Sequence, residues 1–204
     1  QRAAERPAGG LRVGVATVNY HSTLDNSSII VVSHSVVESS TVESNTVYVG
    51  MVTDVSRVVR ASRIVFSSTR VTATANSSVS VLFASVNGGS ALSHGSIIAV
   101  VSSNVSASVH RGGGAWLLAA TSNSRVVFAS GLYAWDCQMT ALAVGDNGGN
   151  SAVAVVFMSE LSHASFIVVA DAVVFARSDN RASDAVVASV LAGSTARNSV
   201  VALV

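Results

Sequence analysis

The heptapeptide Leu92-Ser93-His94-Gly95-Ser96-Ile97-Ile98 returns as Leu161-Ser162-His163-Ala164-Ser165-Phe166-Ile167, at an offset of 69. Asn26-Ser27-Ser28-Ile29-Ile30-Val31-Val32 carries the equivalent strand, with Ile29 and Ile97 at an offset of 68. Ser62-Arg63-Ile64-Val65-Phe66-Ser67-Ser68 matches Ser124-Arg125-Val126-Val127-Phe128-Ala129-Ser130 at an offset of 62. Apolar runs that recur behind the same Ser-rich lead-in, at slightly elastic offsets, confine a chain to folds that stack one unit on the next. An offset near 69 corresponds to three coils of about 23 residues or two of about 34.

Strand-like runs are spread evenly through the chain: Ile29–Val32, Val47–Val52, Ile64–Phe66, Val79–Phe83, Ile97–Val101, Ala115–Ala119, Val126–Phe128, Ala141–Val144, Val153–Phe157, Phe166–Val169, Ala185–Val190 and Val200–Val204. β-Branched residues dominate them, and Ser, Asn, Gly and Asp fill the gaps. Strands buried in a parallel stack read as continuous apolar runs instead of strict alternation. The expected fold is therefore all-β, a right-handed parallel β-helix (β-solenoid). The alternative is an antiparallel sandwich or propeller, which calls for many tight Asn-Gly hairpins. Asn87-Gly88-Gly89 and Asn147-Gly148-Gly149 are the only ones present. Residues Gln1–Gly10 hold the only proline and no strand pattern, and are expected to be a loose lead-in to one solenoid domain over 11–204.

Composition narrows the classes of function. Half of the residues are apolar and only 11% are charged, with a net charge of +1, so no broad field attracts nucleic acid. Lysine is absent. The mean hydropathy of +0.53 comes from many short runs; none approaches the roughly 20 apolar residues of a spanning helix, so no membrane span is expected within the segment. Cys137 is the only cysteine, which excludes an intrachain disulfide. The chain opens on Gln1 and closes inside an apolar run, Val200–Val204, and is expected to be a piece of a longer protein.

Several constellations are candidates for chemistry. His94 and His163 hold equivalent repeat positions, but two or three coils at about 4.8 Å each separate them too far to share one ion with nitrogen ligands near 2 Å. Asp171, Asp179 and Asp184, with Arg177 and Arg181, form the only local carboxylate group and the best candidate for a carbohydrate-active site. Arg111-Gly112-Gly113-Gly114 lacks the lysine of a phosphate loop. Cys137, with no histidine nearby in sequence, reads as a structural thiol. Tyr133 and Trp135, with Trp116, are candidates for an aromatic sugar platform on one face. Asn26, Asn76 and Asn104 begin Asn-x-Ser sequons and are candidate glycosylation sites. No metal site and no cofactor are expected.

The runs Ser62–Phe66 (Ser-Arg-Ile-Val-Phe), Ser96–Val101 (Ser-Ile-Ile-Ala-Val-Val) and Ser165–Asp171 (Ser-Phe-Ile-Val-Val-Ala-Asp), in a lysine-free Arg/Val/Ser background, carry a family resemblance. From Leu11 onward the chain resembles the dispersed gene family of large trypanosomatid (kinetoplastid) surface proteins. The resemblance implies a long extracellular β-helix, glycosylation and a membrane anchor in the full-length protein. The sequence leads to three expectations. The first is a non-enzymatic, adhesin-like segment at the cell surface whose partners are glycans or host surface components. The second is a carbohydrate-active β-helix, of the polysaccharide lyase or hydrolase kind. The third is a passive scaffold whose partners are the neighbouring coils of a longer chain.

Overall fold

A computed structural model describes residues 13–41, 47–75, 81–110, 114–144, 151–178, 185–191 and 193–204. The expected lead-in, Gln1–Gly10, lies outside the described residues. Among those described there is no helix, and every strand pairs in parallel with the strand one coil away. The protein is thus a parallel β-helix.

The first coil holds β1 (Val13–Val15), β2 (Thr23–Leu24), β3 (Ile29–Ser33) and β4 (Val36–Thr41). The second holds β5 (Val47–Val52), β6 (Arg57–Val58), β7 (Arg63–Ser67) and β8 (Arg70–Ala75). The third holds β9 (Val81–Val86), β10 (Ala91–Ser93), β11 (Ile97–Val101) and β12 (Asn104–Val109). In the fourth are β13 (Ala115–Thr121), β14 (Arg125–Val127), β15 (Gly131–Trp135) and β16 (Gln138–Ala143). In the fifth are β17 (Ser151–Phe157), β18 (Glu160–Ser162), β19 (Phe166–Ala170) and β20 (Val173–Ser178). A sixth, partial coil adds β21 (Ala185–Leu191), β22 (Thr195–Arg197) and β23 (Val200–Leu203). Equivalent strands stack into four parallel sheets, A to D, in their order around the coil.

Partners in adjacent coils lie 34 or 35 residues apart, and 36 apart where β13 pairs with β17. The shorter of the two expected coil lengths is thereby excluded. The repeat at offset 69 spans two coils, one of 34 and one of 35 residues, since Ala91 pairs with Arg125 and Arg125 with Glu160. The match at offset 62 does not join equivalent positions. It sets Arg63 of β7, in sheet C, against Arg125 of β14, in sheet B.

Strand alternation sends one set of side chains inward. On sheet C the inner column is Ile64, Ile98, Leu132 and Ile167, all fully buried. On sheet B, Val58, Leu92, Val126 and Leu161 do the same. Sheet D contributes Val71, Val105 and Met139 together with the smaller Ala73, Ala107 and Ala141, all buried. Phe66 reaches across to Phe83, with centroids 5.3 Å apart, and its ring fills the space over Gly50.

The corners explain the serine content. At the A–B corner Ser22, Ser56, Ser90, Ser124, Ser159 and Ser194 occupy one column. The amide of Ser22 donates to Ser56 Oγ at 3.1 Å, and that of Ser56 to Ser90 Oγ at 3.0 Å. Further along, Ser124 N donates to Ser159 Oγ at 3.1 Å and Ser159 N to Ser194 Oγ at 3.3 Å. At the B–C corner Ser96 N donates to Ser130 Oγ at 3.1 Å and Ser130 N to Ser165 Oγ at 3.3 Å. At the C–D corner Thr69 N donates to Ser103 Oγ at 3.1 Å. A buried turn amide without a partner costs about 1–3 kcal/mol, and a hydroxyl from the next coil removes that cost where no strand partner is available.

The turns before these corners are left-handed. Asp54 and Val55, or Phe128 and Ala129, have positive φ in succession. Phe128, expected at the end of a strand, is therefore a corner residue.

Candidate functional site

The outer faces of the four sheets differ in chemistry. Sheet D presents hydroxyls: Thr72 and Thr74 on β8, Ser106 and Ser108 on β12, Thr140 on β16. Ser108 Oγ donates to Thr74 Oγ1 at 3.2 Å. Sheet B presents charge, with Arg125 Nε 3.3 Å from Glu160 Oε2. Sheet C is apolar. Its outward positions include Ile29 and Val31 on β3, Val65 on β7, Ile97 and Ala99 on β11, Tyr133 and Trp135 on β15, and Phe166 and Val168 on β19. Arg63 is the only charged side chain among its described outward positions. Among the described residues this face is apolar at nearly all of its outward positions, with Ser33, Arg63 and Ser67 the polar ones.

Four aromatic rings gather on and beside coil four of this face. Gly131, Tyr133 and Trp135 alternate outward along β15, while Leu132 and Ala134 are buried in the core. A Cβ at Gly131 would lie 2.4 Å from Phe166 Cδ2 and Cε2, so the Phe166 ring, entering from coil five, occupies the position over Gly131. Ile97, Tyr133, Phe166 and Val168 line a shallow cavity of about 310 Å³ there.

At the B–C corner Phe128 is 47% exposed and lies between two imidazoles, 4.9 Å from His94 and 4.7 Å from His163 by ring centroids. His94 Nδ1 is 3.0 Å from Ser93 Oγ, and His163 Nδ1 is 2.8 Å from Ser162 Oγ. Ser162 Oγ donates to Glu160 Oε1 at 2.7 Å. These bonds hold the outer two rings of the three-ring stack.

At the C–D corner Trp135 is 43% exposed, and its Nε1 donates to Asp171 Oδ2 at 2.8 Å. Ser102 Oγ donates to Asp136 Oδ2 at 2.9 Å, and Asn104 Nδ2 to Gln138 Oε1 at 3.1 Å. Each of the two carboxylates leans on the coil before it. Asp136 and Asp171 occupy the same corner position in adjacent coils, joined by Asp136 N donating to the Ala170 carbonyl at 3.2 Å.

The structure sorts the candidates from sequence. His94 and His163 do stand two coils apart, with Phe128 between them. Tyr133 and Trp135 share a face, but Trp116 belongs to sheet A, where it meets Phe157 edge-on at 5.2 Å. Phe128 and Phe166 take its place. Asp171 lies at the C–D corner and Arg177 near the far end of β20, six residues on and about 20 Å away for extended chain. Asp179, Arg181 and Asp184 lie outside the described residues, as does Asn76. Asn26 is exposed at a left-handed turn, and Asn104 is committed to the Gln138 ladder. Among the described residues no group of three or more His, Cys, Asp or Glu side chains is placed to hold a metal ion.

Cys137 stands in the corner column of Ser35, Thr69 and Ser103. Its Sγ meets the Trp135 carbonyl at 3.1 Å, as Ser103 Oγ meets the Val101 carbonyl at 2.7 Å. Burial pushes the thiol pKa up, against a smaller opposite pull from backbone hydrogen bonds at Ser103 and Trp135. Thiolate formation is therefore disfavoured in the folded chain. The contribution of this site to stability is complete below the ordinary thiol pKa and is lost as pH rises through the raised one. Cys137→Ser is expected to leave stability at pH 7 within about 0.5 kcal/mol. Native Cys137 is expected to resist iodoacetamide until the chain is unfolded, and mass spectrometry of the alkylated protein checks this.

No protein-family model, no curated protein and no solved structure matches the chain. The fold and the chemistry of its faces are therefore the ground for its function.

Proposed function

We propose that this chain is a segment of an extracellular, adhesin-like β-helix that works by binding through the outer face of sheet C. The observation that supports this reading most is the outward column Val31, Val65, Ala99, Tyr133 and Val168, apolar or aromatic in every coil, with Ile97 and Phe166 beside it. Exposed apolar patches larger than a few hundred Å² mark interaction sites on soluble proteins. Partners at a cell or host surface suit such a face. The resemblance to kinetoplastid surface proteins, with an anchor elsewhere in the full-length chain and a glycan on exposed Asn26, agrees with the same reading.

The test is attachment of the labelled chain to a panel of cell surfaces. Val168→Asp, beside Tyr133 and Phe166 on the face, is expected to lower binding at least tenfold. Phe175→Asp, at a half-exposed position on sheet D, is expected to leave it unchanged. Equal binding by both variants would contradict the assignment.

One observation favours a second reading. Asp136 and Asp171 leave the same corner position of adjacent coils, whose backbones stack about 4.8 Å apart, beside Trp135. Retaining glycosidases hold their two carboxyl groups about 5–5.5 Å apart. On this reading the chain releases reducing ends from a polysaccharide panel, and Asp171→Asn abolishes the release.

A further inference from the structure

We infer that sheet C recognises a neutral oligosaccharide chain, lying along coil four over the rings of Phe128, Phe166, Tyr133 and Trp135. This deepens the reading of sheet C as a binding face and rests on it. The geometry is linear. Successive outward positions of a strand stand about 6.6 Å apart, and positions 131, 133 and 135 all carry a ring once Phe166 covers Gly131. Phe128 continues the row around the corner.

Rings in a row offer flat apolar faces, and the apolar faces of pyranose rings stack on such surfaces while their hydroxyls stay at the edges. Hydrogen-bonding groups flank the row at both ends. Asp136, Asp171, Asn104 and Gln138 stand beyond Trp135, and His94 and His163 flank Phe128. A carboxylate accepts several hydrogen bonds, which suits vicinal sugar hydroxyls.

Charge selects the neutral class. Coils three to five carry no charged outward side chain on sheet C, and the carboxylates bordering Trp135 repel uronic or sulfated sugars. A peptide adding as a strand finds no opening here, because β15 is already paired with β11 on one side and β19 on the other.

The test is calorimetric titration of the intact chain with neutral oligosaccharides of one to six units, from the cello, xylo, manno and chito series. Affinity for one series is expected to rise with each added unit and then level off. Trp135→Ala and Tyr133→Ala are each expected to weaken binding about tenfold. Gly131→Val removes no ring but drives a Cβ into Phe166, and is expected to do the same. Phe175→Ala, on sheet D, is the control and should bind as the parent does. Circular dichroism confirms that each variant keeps the fold.

The inference is overturned if no series binds at millimolar concentration, if Trp135→Ala and Tyr133→Ala bind as tightly as the parent, or if uronate oligomers bind more tightly than neutral ones. Failure with sugars, while Val168→Asp still abolishes attachment to cells, would leave a binding face whose partner is not a glycan. Failure of both would remove the face itself.

Discussion

Phe66→Ala is expected to lower stability by about 3–5 kcal/mol, read as a fall in the urea midpoint of the far-ultraviolet β signal. Phe66 is among the largest fully buried side chains of the core. Its ring bridges sheets, leaving β7 to meet Phe83 of β9 and to cover Gly50 of β5. Truncation removes the contacts of three strands in two coils at once. Stacked parallel strands cannot close such a gap easily, because each is pinned above and below by its neighbours in register. Much of the cavity therefore persists and adds to the lost transfer energy. Loss of less than about 1 kcal/mol would mean that Phe66 is not a core residue.

The second large effect concerns Gly50, on the other side of the same contact. Its φ is +64°, and a Cβ built on it would lie 2.4 Å from Phe66 Cε2. Gly50→Ala therefore combines a left-handed backbone penalty of about 1–2 kcal/mol with a collision against a ring that has no room to retreat. The neighbouring coil shows that the backbone part alone is tolerable, since Ala84 occupies the equivalent position with φ +43°. The collision is thus the larger share. Gly50→Ala combined with Phe66→Leu is expected to be more stable than the sum of the two single losses allows, because the smaller side chain vacates the space. Strict additivity in urea melts of the two single variants and the double variant would show that the two positions do not touch.

Much of the fold can be read from particular residues. Ile29–Val32, Ile97–Val101 and Phe166–Val169 are apolar runs, and all three are strands of sheet C. β8 and β12 escape the same reading. Arg70-Val71-Thr72-Ala73-Thr74-Ala75 and Asn104–Val109 alternate apolar residues with hydroxyls, because these two strands turn hydroxyls outward where the strands of sheet C turn mostly apolar side chains.

The misleading match at offset 62 has a structural cause. Ser62 belongs to the B–C corner column and Ser124 to the A–B column, and these two corners are built alike, each with two successive left-handed residues before the serine. Inward serine, outward residue and core aliphatic therefore recur within a coil as well as between coils. The coil length was nonetheless present in the sequence. Ser56, Ser62 and Thr69, then Ser90, Ser96 and Ser103, then Ser124, Ser130 and Cys137 repeat one pair of spacings at a constant step.

The candidate site was half legible. Tyr133 and Trp135, two residues apart, declare a shared face of one strand. Phe128 and Phe166 join them only when the coil length and the vacancy at Gly131 are known. The pairing of Asp136 with Asp171 arises from stacking, and their separation along the chain hides it.

One property underlies all the others: residues 34 to 36 apart are neighbours, so that one face is assembled from successive coils. Val31, Val65, Ala99, Tyr133 and Val168 form one outward column of sheet C. Nitroxide labels on cysteines placed at Val31 and Val168, in a Cys137→Ser background, test it by double electron–electron resonance. Four coil steps separate the two positions, about 19 Å between Cα atoms. A narrow distribution centred at about 20 Å is the expected result. A distance beyond about 30 Å, or a broad distribution without a maximum, would contradict the stacked coil.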